Sequence, residues 1–292
     1  MKNRIFDVII IGAGPAGLSA AIYGKRANLD VLVIEKSVPG GKLLEITNIS
    51  NYPGYNQKDG ANLAYIMYEQ VNELKTDFVF EEVINVIDHQ DYKEIITEMN
   101  TYQTKNIIVA TGMSYQHLHV ANEKKFTGKG ISFCAVCDGK LFTGKDIAVI
   151  GSNDKALKEC LYLAEFAQKI YLLADKKVEN KNVLANPKIE IIDNGKLTKL
   201  IGNDYLEAIE INNQRIINVE GVFPLLNEMP SNGFLSDFDI FNSFGYMIVD
   251  NKYQSKVPGI YGIGDIIEKD LRQVVTACND GALAIQYIKS KK

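Results

Sequence analysis

The chain has 292 residues, of which 46% are hydrophobic and 23% charged, with a net charge of −4, an ordinary balance for a globular protein long enough for two domains. That charge argues against nucleic acid, which calls for a basic footprint, and no apolar run reaches the ~20 residues that span a bilayer. Four cysteines, only two of them close together, do not make a secreted disulfide framework, and the N-terminus runs into a strand rather than a signal peptide, so the expected compartment is the cytoplasm.

The first unit reads strand, glycine turn, helix, strand. Phe6 to Ile11 is a short apolar run bounded by Gly12, as expected of a buried parallel strand. Gly12-Ala13-Gly14-Pro15-Ala16-Gly17 then opens a helix over 16–27, and Val31 to Ile34 follows as a second strand ending on Glu35. This is a dinucleotide fingerprint in its proper context. Gly12 makes the tight turn, Gly14 lets backbone approach a pyrophosphate, and Gly17 lets helix and strand pack closely. The phosphates rest on free N–H groups at the helix N-terminus. Glu35 stands 23 residues after Gly12, near the ~20 expected of an acid that bonds ribose hydroxyls.

Gly40-Gly41-Lys42-Leu43 and Asn51-Tyr52-Pro53-Gly54 read as irregular loops, either plain connections or places where backbone lies close to a ligand. The pattern predicts a helix over 61–74 and strands over 83–87, 94–98 and 104–109, the last running into Ala110-Thr111-Gly112. In the connector that follows, His117 and His119 read as surface loop rather than metal ligands.

Next come Ser132-Phe133-Cys134-Ala135-Val136-Cys137-Asp138-Gly139. Two thiols at this spacing can close a small disulfide loop, and a helix N-terminus or a nearby cation lowers a thiol pKa into the working range. A disulfide takes up two electrons and is attacked through a thiolate, and Asp138 is placed to handle the accompanying proton. The alternatives are half a zinc site or an idle buried pair. Zinc needs further ligands at its own spacing, and neither Cys160 nor Cys278 has a second Cys or His in register. Redox chemistry is favoured. Cys160, on the apolar stripe of its helix, and Cys278, in the last helix, read as core filler.

The strand–turn–helix–strand pattern then restarts with Ile147 to Ile150, Gly151, a helix over 155–167 and a strand over 169–173. Superimposing Gly12 on Gly151 puts Ala174 where Glu35 stood, with Asp175 one residue later. The second turn, Gly151-Ser152-Asn153-Asp154-Lys155-Ala156, keeps only its first glycine. Asn153 tolerates positive φ, so the turn is expected to survive. Its side chain, however, projects where a pyrophosphate needs bare backbone, and Asp154 adds an anion. Ala174-Asp175-Lys176-Lys177 holds no arginine, the residue that accommodates a ribose 2′-phosphate. A retained fold with a lost ligand site is the favoured reading. Near the end, Gly259 to Asp265 forms a short strand running into a glycine and an acid, and Arg272-Gln273-Val274 begins a helix through Gln286. The acid either points into a ligand crevice or caps a helix.

Along nearly the whole chain these residues resemble the low-molecular-weight thioredoxin reductases. The likeness is carried by Gly12 to Gly17, Gly40-Gly41, Asn51, Ala110-Thr111-Gly112, Cys134-Ala135-Val136-Cys137-Asp138-Gly139, Gly262-Ile263-Gly264-Asp265 and Arg272-Gln273. It implies an α/β protein of two Rossmann-like, three-layer ββα domains, the second inserted in the first. The FAD-binding domain would comprise 1–114 and 246–292, and 115–245 would form a central redox-disulfide domain with a degenerate NAD(P)H-type fold. FAD contacts would run through Gly12, Gly14, Pro15, Ala16 and Gly17, Glu35 and Lys36, Gly40, Gly41 and Leu43, and Asn51. They would continue at Thr111, Gly112, Gly264, Asp265, Arg272, Gln273 and Val274. The resemblance further implies a homodimer and a thioredoxin-type partner, and the residues themselves give no reason to expect a metal. By that likeness Cys137 faces the flavin, Cys134 attacks the partner's disulfide, and Asp138 serves as general acid.

The second nucleotide site departs from this family, whose members carry a glycine-rich turn followed by a His-Arg-Arg cluster and a further Arg. Gly221-Val222-Phe223-Pro224-Leu225-Leu226-Asn227 also lacks the glycine usual after that strand. The pattern resembles the ferredoxin-dependent flavin thioredoxin reductases, so ferredoxin is the expected donor. A plant-type ferredoxin near about −400 mV and thioredoxin near about −270 mV leave about 6 kcal/mol downhill for two electrons. The energetics therefore permit that donor, and NADPH is disfavoured by missing contacts alone. The alternatives are an NAD(P)H donor, with Asp175 reading an unphosphorylated ribose, another dithiol protein as acceptor, or an FAD-and-disulfide redox sensor that turns nothing over.

Overall fold

The computed structural model describes residues 4–291 apart from 47–48, 57–58, 116–117, 134 and 227. The chain forms two compact units, one of Met1–Ser114 with Met229–Lys292, the other of Tyr115–Glu228.

The first unit begins β1 (Ile5–Ile11), α1 (Pro15–Arg26), β2 (Val31–Glu35), α2 (Gly60–Glu73), β3 (Asp77–Phe80), β4 (Val83–His89), β5 (Tyr92–Thr97) and β6 (Thr101–Val109). Its sheet runs β3-β2-β1-β6-β5-β4. β1 is parallel to both neighbours, with Ile9 opposite Leu32 and Ile107, and β4-β5-β6 is an antiparallel meander. From Val8 to Ile11 the side chains of β1 alternate between two cores, with Phe6 joining the second. Val8 and Ile10 pack with Leu18, Ala20 and Ala21 of α1, and Phe6, Ile9 and Ile11 pack with Val83, Val86 and Ile95 of the meander. A strand covered on both faces reads as an unbroken apolar run, and each such side chain, fully buried, contributes about 1.5–3 kcal/mol. Gly41–Glu45, expected to be irregular, forms a 3₁₀ turn. Asp59 caps α2 by accepting from the Ala61 amide at 3.0 Å.

After β7 (Met113–Tyr115) the second unit contains α3 (Glu123–Phe126), α4 (Ala135–Asp138), β8 (Asp146–Ile150), α5 (Asp154–Leu163), β9 (Lys169–Ala174), α6 (Lys181–Leu184) and β10 (Ile189–Asp193). It continues through β11 (Leu197–Ile201), β12 (Ala208–Ile211), β13 (Arg215–Asn218) and β14 (Gly221–Pro224). A parallel sheet β10-β9-β8-β14 carries the second strand–turn–helix–strand repeat, and β11-β12-β13 forms a separate antiparallel sheet. Asn212 and Asn213, both at φ +55°, make the β12–β13 turn, since two positive φ values match the right-handed strand twist.

The chain returns through β15 (Glu228–Pro230), which pairs with β7, then β16 (Ile260–Gly262), parallel to β6, and α7 (Val274–Ser290). The expected domain boundary at 245/246 moves to 228/229. Leu235 and Ile240 are fully buried in the core of Phe6 and Ile9, and the Ser231 amide donates to Gly112 O at 3.0 Å. The stretch 231–259 has little regular secondary structure, so no periodicity announces which unit it joins. Among the described residues, no helix is long and apolar enough to cross a membrane.

Candidate active site

The first glycine turn is shaped by close approach. Gly12 has φ +102°, and a Cβ there would stand 2.6 Å from Ala110 O; a Cβ on Gly17 would stand 1.9 Å from Gly12 O. Gly14 differs, because a Cβ at that position meets nothing within 4 Å. It is the N-cap of α1, Pro15 follows at the first helical position, and no side chain caps the helix. The first-turn N–H groups of α1 therefore have no side-chain cap and border open space, the arrangement a pyrophosphate requires. The Glu35 carboxylate accepts from the Ala13 amide at 2.7 Å and from the Ser37 amide at 3.0 Å. With about four lone-pair sites on a carboxylate, two such bonds leave capacity for ribose hydroxyls. The Gly40 amide donates to Ala13 O at 2.7 Å, and a Cβ on Gly41 would lie 3.3 Å from Gly14 Cα, so this second glycine pair lines the same turn. These residues fit a dinucleotide.

The C-terminal candidates approach from the other end of the chain. Gly264 has φ +73°, and a Cβ there would come 2.9 Å from Ala16 Cβ; Asp265 follows in a 3₁₀ turn. The Asn51 side-chain Nδ2 donates to Gln273 Oε1 at 2.6 Å, joining two predicted residues 222 positions apart. Gln273 also forms a capping box with Thr276 at the start of α7, ahead of Val274. The Arg272 guanidinium lies 4.8 Å over the Tyr246 ring. Three further candidates already have surroundings within the protein. Leu43 is buried in the core, Thr111 donates its hydroxyl to Ser231 O at 2.6 Å, and exposed Lys36 pairs with Glu82 at 3.9 Å. Asp280, which no sequence motif singles out, holds the Gly264 amide at 3.0 Å.

In the second unit, Cys137 and Asp138 lie on the short helix α4. Cys134 and the Cys137 side chain lie outside the described residues, as does His117; His119 is exposed. The segment is anchored by the Ser132 amide, which donates to Val222 O at 3.0 Å. Gly139 sits where a Cβ would come 3.0 Å from Leu163 of α5. The second turn survives by a different means from the one expected. Asn153 has φ −73°, not a positive φ, and caps α5 by accepting from the Ala156 amide at 2.8 Å. Ser152 donates its hydroxyl to Asp175. Where α1 is uncapped, α5 is closed by its own side chain.

The other two cysteines are unsuited to thiolate chemistry. Burial pushes the Cys160 thiol up to about 12. Cys278 is also raised, chiefly by burial, with Sγ 3.9 Å from the Tyr52 hydroxyl. Only thiolates alkylate, so iodoacetamide at about pH 8 should leave Cys160 unmodified in the folded, reduced protein. Mass spectrometry showing Cys160 alkylated before unfolding would contradict that burial.

Residues 6–281 match the pyridine nucleotide-disulphide oxidoreductase family. The thioredoxin reductase of Ureaplasma parvum serovar 3 is 39% identical over 99% of this chain and 97% of its own length. The chain belongs to the thioredoxin reductases of that family. The solved thioredoxin reductase of Lactococcus lactis covers 98% of each chain at 34% identity and a TM-score of 0.75. A ferredoxin-flavin thioredoxin reductase from Clostridium acetobutylicum covers 98% of this chain and 97% of its own at 29% identity and a TM-score of 0.57. Thioredoxin reductases are FAD flavoproteins, and the turn around Gly14 suits that cofactor. The expected placement in the ferredoxin-dependent branch is not supported, since the Ureaplasma and Lactococcus thioredoxin reductases resemble this chain more closely than the ferredoxin-flavin enzyme does.

Proposed function

We propose that this thioredoxin reductase takes electrons from a nicotinamide nucleotide and delivers them, through FAD and the Cys134–Cys137 pair, to thioredoxin. The observation that carries the reading is the uncapped N-terminus of α1, open beside Gly14 and flanked by Glu35, in a chain that also holds Cys134-Ala135-Val136-Cys137-Asp138-Gly139. When bound there, FAD supplies the two-electron store that reduces a disulfide. The α1 amides bind its pyrophosphate, Glu35 its ribose, and Asp265 with Arg272 and Gln273 complete the site. In the reduced pair, the Cys134 thiolate attacks one sulfur of the thioredoxin disulfide, and Asp138 passes a proton to the sulfur that leaves. The Cys137 thiol then gives up its proton to the second thioredoxin sulfur as its own sulfur attacks Cys134, releasing the second thioredoxin thiol and restoring the internal disulfide. Two electrons and two protons move to thioredoxin. The homodimer implied by the family likeness and the cytoplasmic setting expected from the cysteine usage belong to the same proposal; sedimentation checks the first.

The nicotinamide donor is supported by the family's pyridine-nucleotide designation and by the greater likeness to chains named without ferredoxin. One observation favours a second reading with ferredoxin as donor: the Asn153 side chain closes the helix end where a second pyrophosphate would sit. An acid just past β9, Asp175, suits an unphosphorylated ribose rather than a 2′-phosphate. Anaerobic titration of the yellow protein with NADH, NADPH and reduced ferredoxin in parallel separates the donors. Bleaching by NADH at micromolar concentrations, stronger than by NADPH, is expected. Bleaching by ferredoxin alone would overturn the nicotinamide donor.

A further inference from the structure

Asp280 is a buried carboxylate, 5% exposed, with no part in the electron transfer proposed above. Its Oδ2 accepts from the Gly264 amide at 3.0 Å and from Lys269 Nζ at 2.5 Å, and its Oδ1 accepts from the Tyr253 hydroxyl at 3.0 Å. Lys269 is itself only 13% exposed. The three donors come from separate points on the stretch 253–269, which leads into Arg272-Gln273. The next residue, Gly281, is pressed onto α1, where a Cβ would lie 2.4 Å from Ala16 O. One turn of α7 thus meets both the first turn of α1 and the segment carrying Gly264 and Asp265.

We propose that Asp280 is a positioning residue for the FAD site: through Lys269 and the Gly264 amide it holds the 264–273 segment against α1 and sets where Asp265 and Arg272-Gln273 meet the cofactor. The inference rests on FAD occupying the α1 turn. A buried ion pair adds little net stability against an apolar pair of similar volume, and its best-attested use is to specify one arrangement. Here the specified arrangement is that of a loop whose backbone N–H is among the groups held. An apolar pair would fill the space but could not accept from Gly264.

The test separates cofactor affinity from folding, using the full chain stripped of FAD and reloaded. Asp280→Asn should raise the FAD dissociation constant by about tenfold or more, and Tyr253→Phe, which removes one donor, by a smaller factor. The double variant Asp280→Leu/Lys269→Met should bring the melting temperature of the apoprotein back toward wild type while FAD affinity stays about tenfold weaker. Asp88→Asn is the control. It breaks the pair with Lys93, at 2.6 Å and with Lys93 7% exposed, in the same unit, and should lower stability while leaving FAD affinity unchanged. The inference is overturned if the double variant regains FAD affinity together with its melting temperature, or if Asp88→Asn weakens FAD as much as Asp280→Asn. Wild-type protein that takes up no FAD would overturn both the inference and the cofactor assignment beneath it.

Discussion

Cys137→Ser should lower thioredoxin reduction by on the order of 10³-fold or more while the protein still binds FAD. A serine oxygen cannot form or re-form the internal disulfide, so nothing resolves the bond that Cys134 makes with its partner. The variant is therefore expected to trap thioredoxin as a mixed disulfide, visible as a heavier band on a non-reducing gel and lost on adding dithiothreitol. Cys134→Ser should be equally inactive without trapping, because the proposed attacking thiolate is gone. The pair of gels distinguishes the two sulfurs, which activity alone cannot do. Trapping by Cys134→Ser and not by Cys137→Ser would reverse the assigned roles.

Gly17→Ala should cost the protein its flavin and about 1–3 kcal/mol or more of stability. The added methyl would stand 1.9 Å from Gly12 O, and the obstacle is backbone fixed by its own pairing: the Gly12 amide donates to Ile34 O at 2.8 Å. Gly14→Ala is the informative companion. Its methyl meets no protein atom within 4 Å, so thermal unfolding of the apoprotein should stay near wild type. That same methyl enters the space assigned to the pyrophosphate, so FAD retention should fall. Equal FAD retention in wild type and Gly14→Ala would remove the cofactor from the α1 turn.

The first nucleotide-binding unit was legible because each of its parts obeys a local rule: an apolar run for a doubly covered strand, glycines at close approaches, and an acid at the end of the second strand. The repeat at Ile147 to Leu173 was legible for the same reason. Asp280 was not, because a single acid in a C-terminal helix carries no motif. Its role comes from partners 11, 16 and 27 residues away, brought together by the tertiary fold. The boundary near 228 was hidden because Leu235 and Ile240 join the first unit's core without periodic structure around them. Asparagine both tolerates positive φ and caps helices; Asn153 does the second, and the sequence alone does not choose between the two. The missing arginines around Asp175 pointed to ferredoxin, yet overall likeness runs toward chains named without that donor. A local loss and a global resemblance thus lead to different donors, and the parallel titration decides between them.

The central claim, that reducing equivalents pass from FAD through Cys134 and Cys137 to thioredoxin, is independent of the donor. Its most direct test is a single turnover. The holoenzyme is photoreduced anaerobically without nucleotide and mixed with oxidised thioredoxin, with flavin absorbance and thioredoxin thiols followed together. Thioredoxin dithiol is expected to form in an amount matching the oxidised flavin that returns. Flavin that stays reduced beside an intact thioredoxin disulfide would contradict the account.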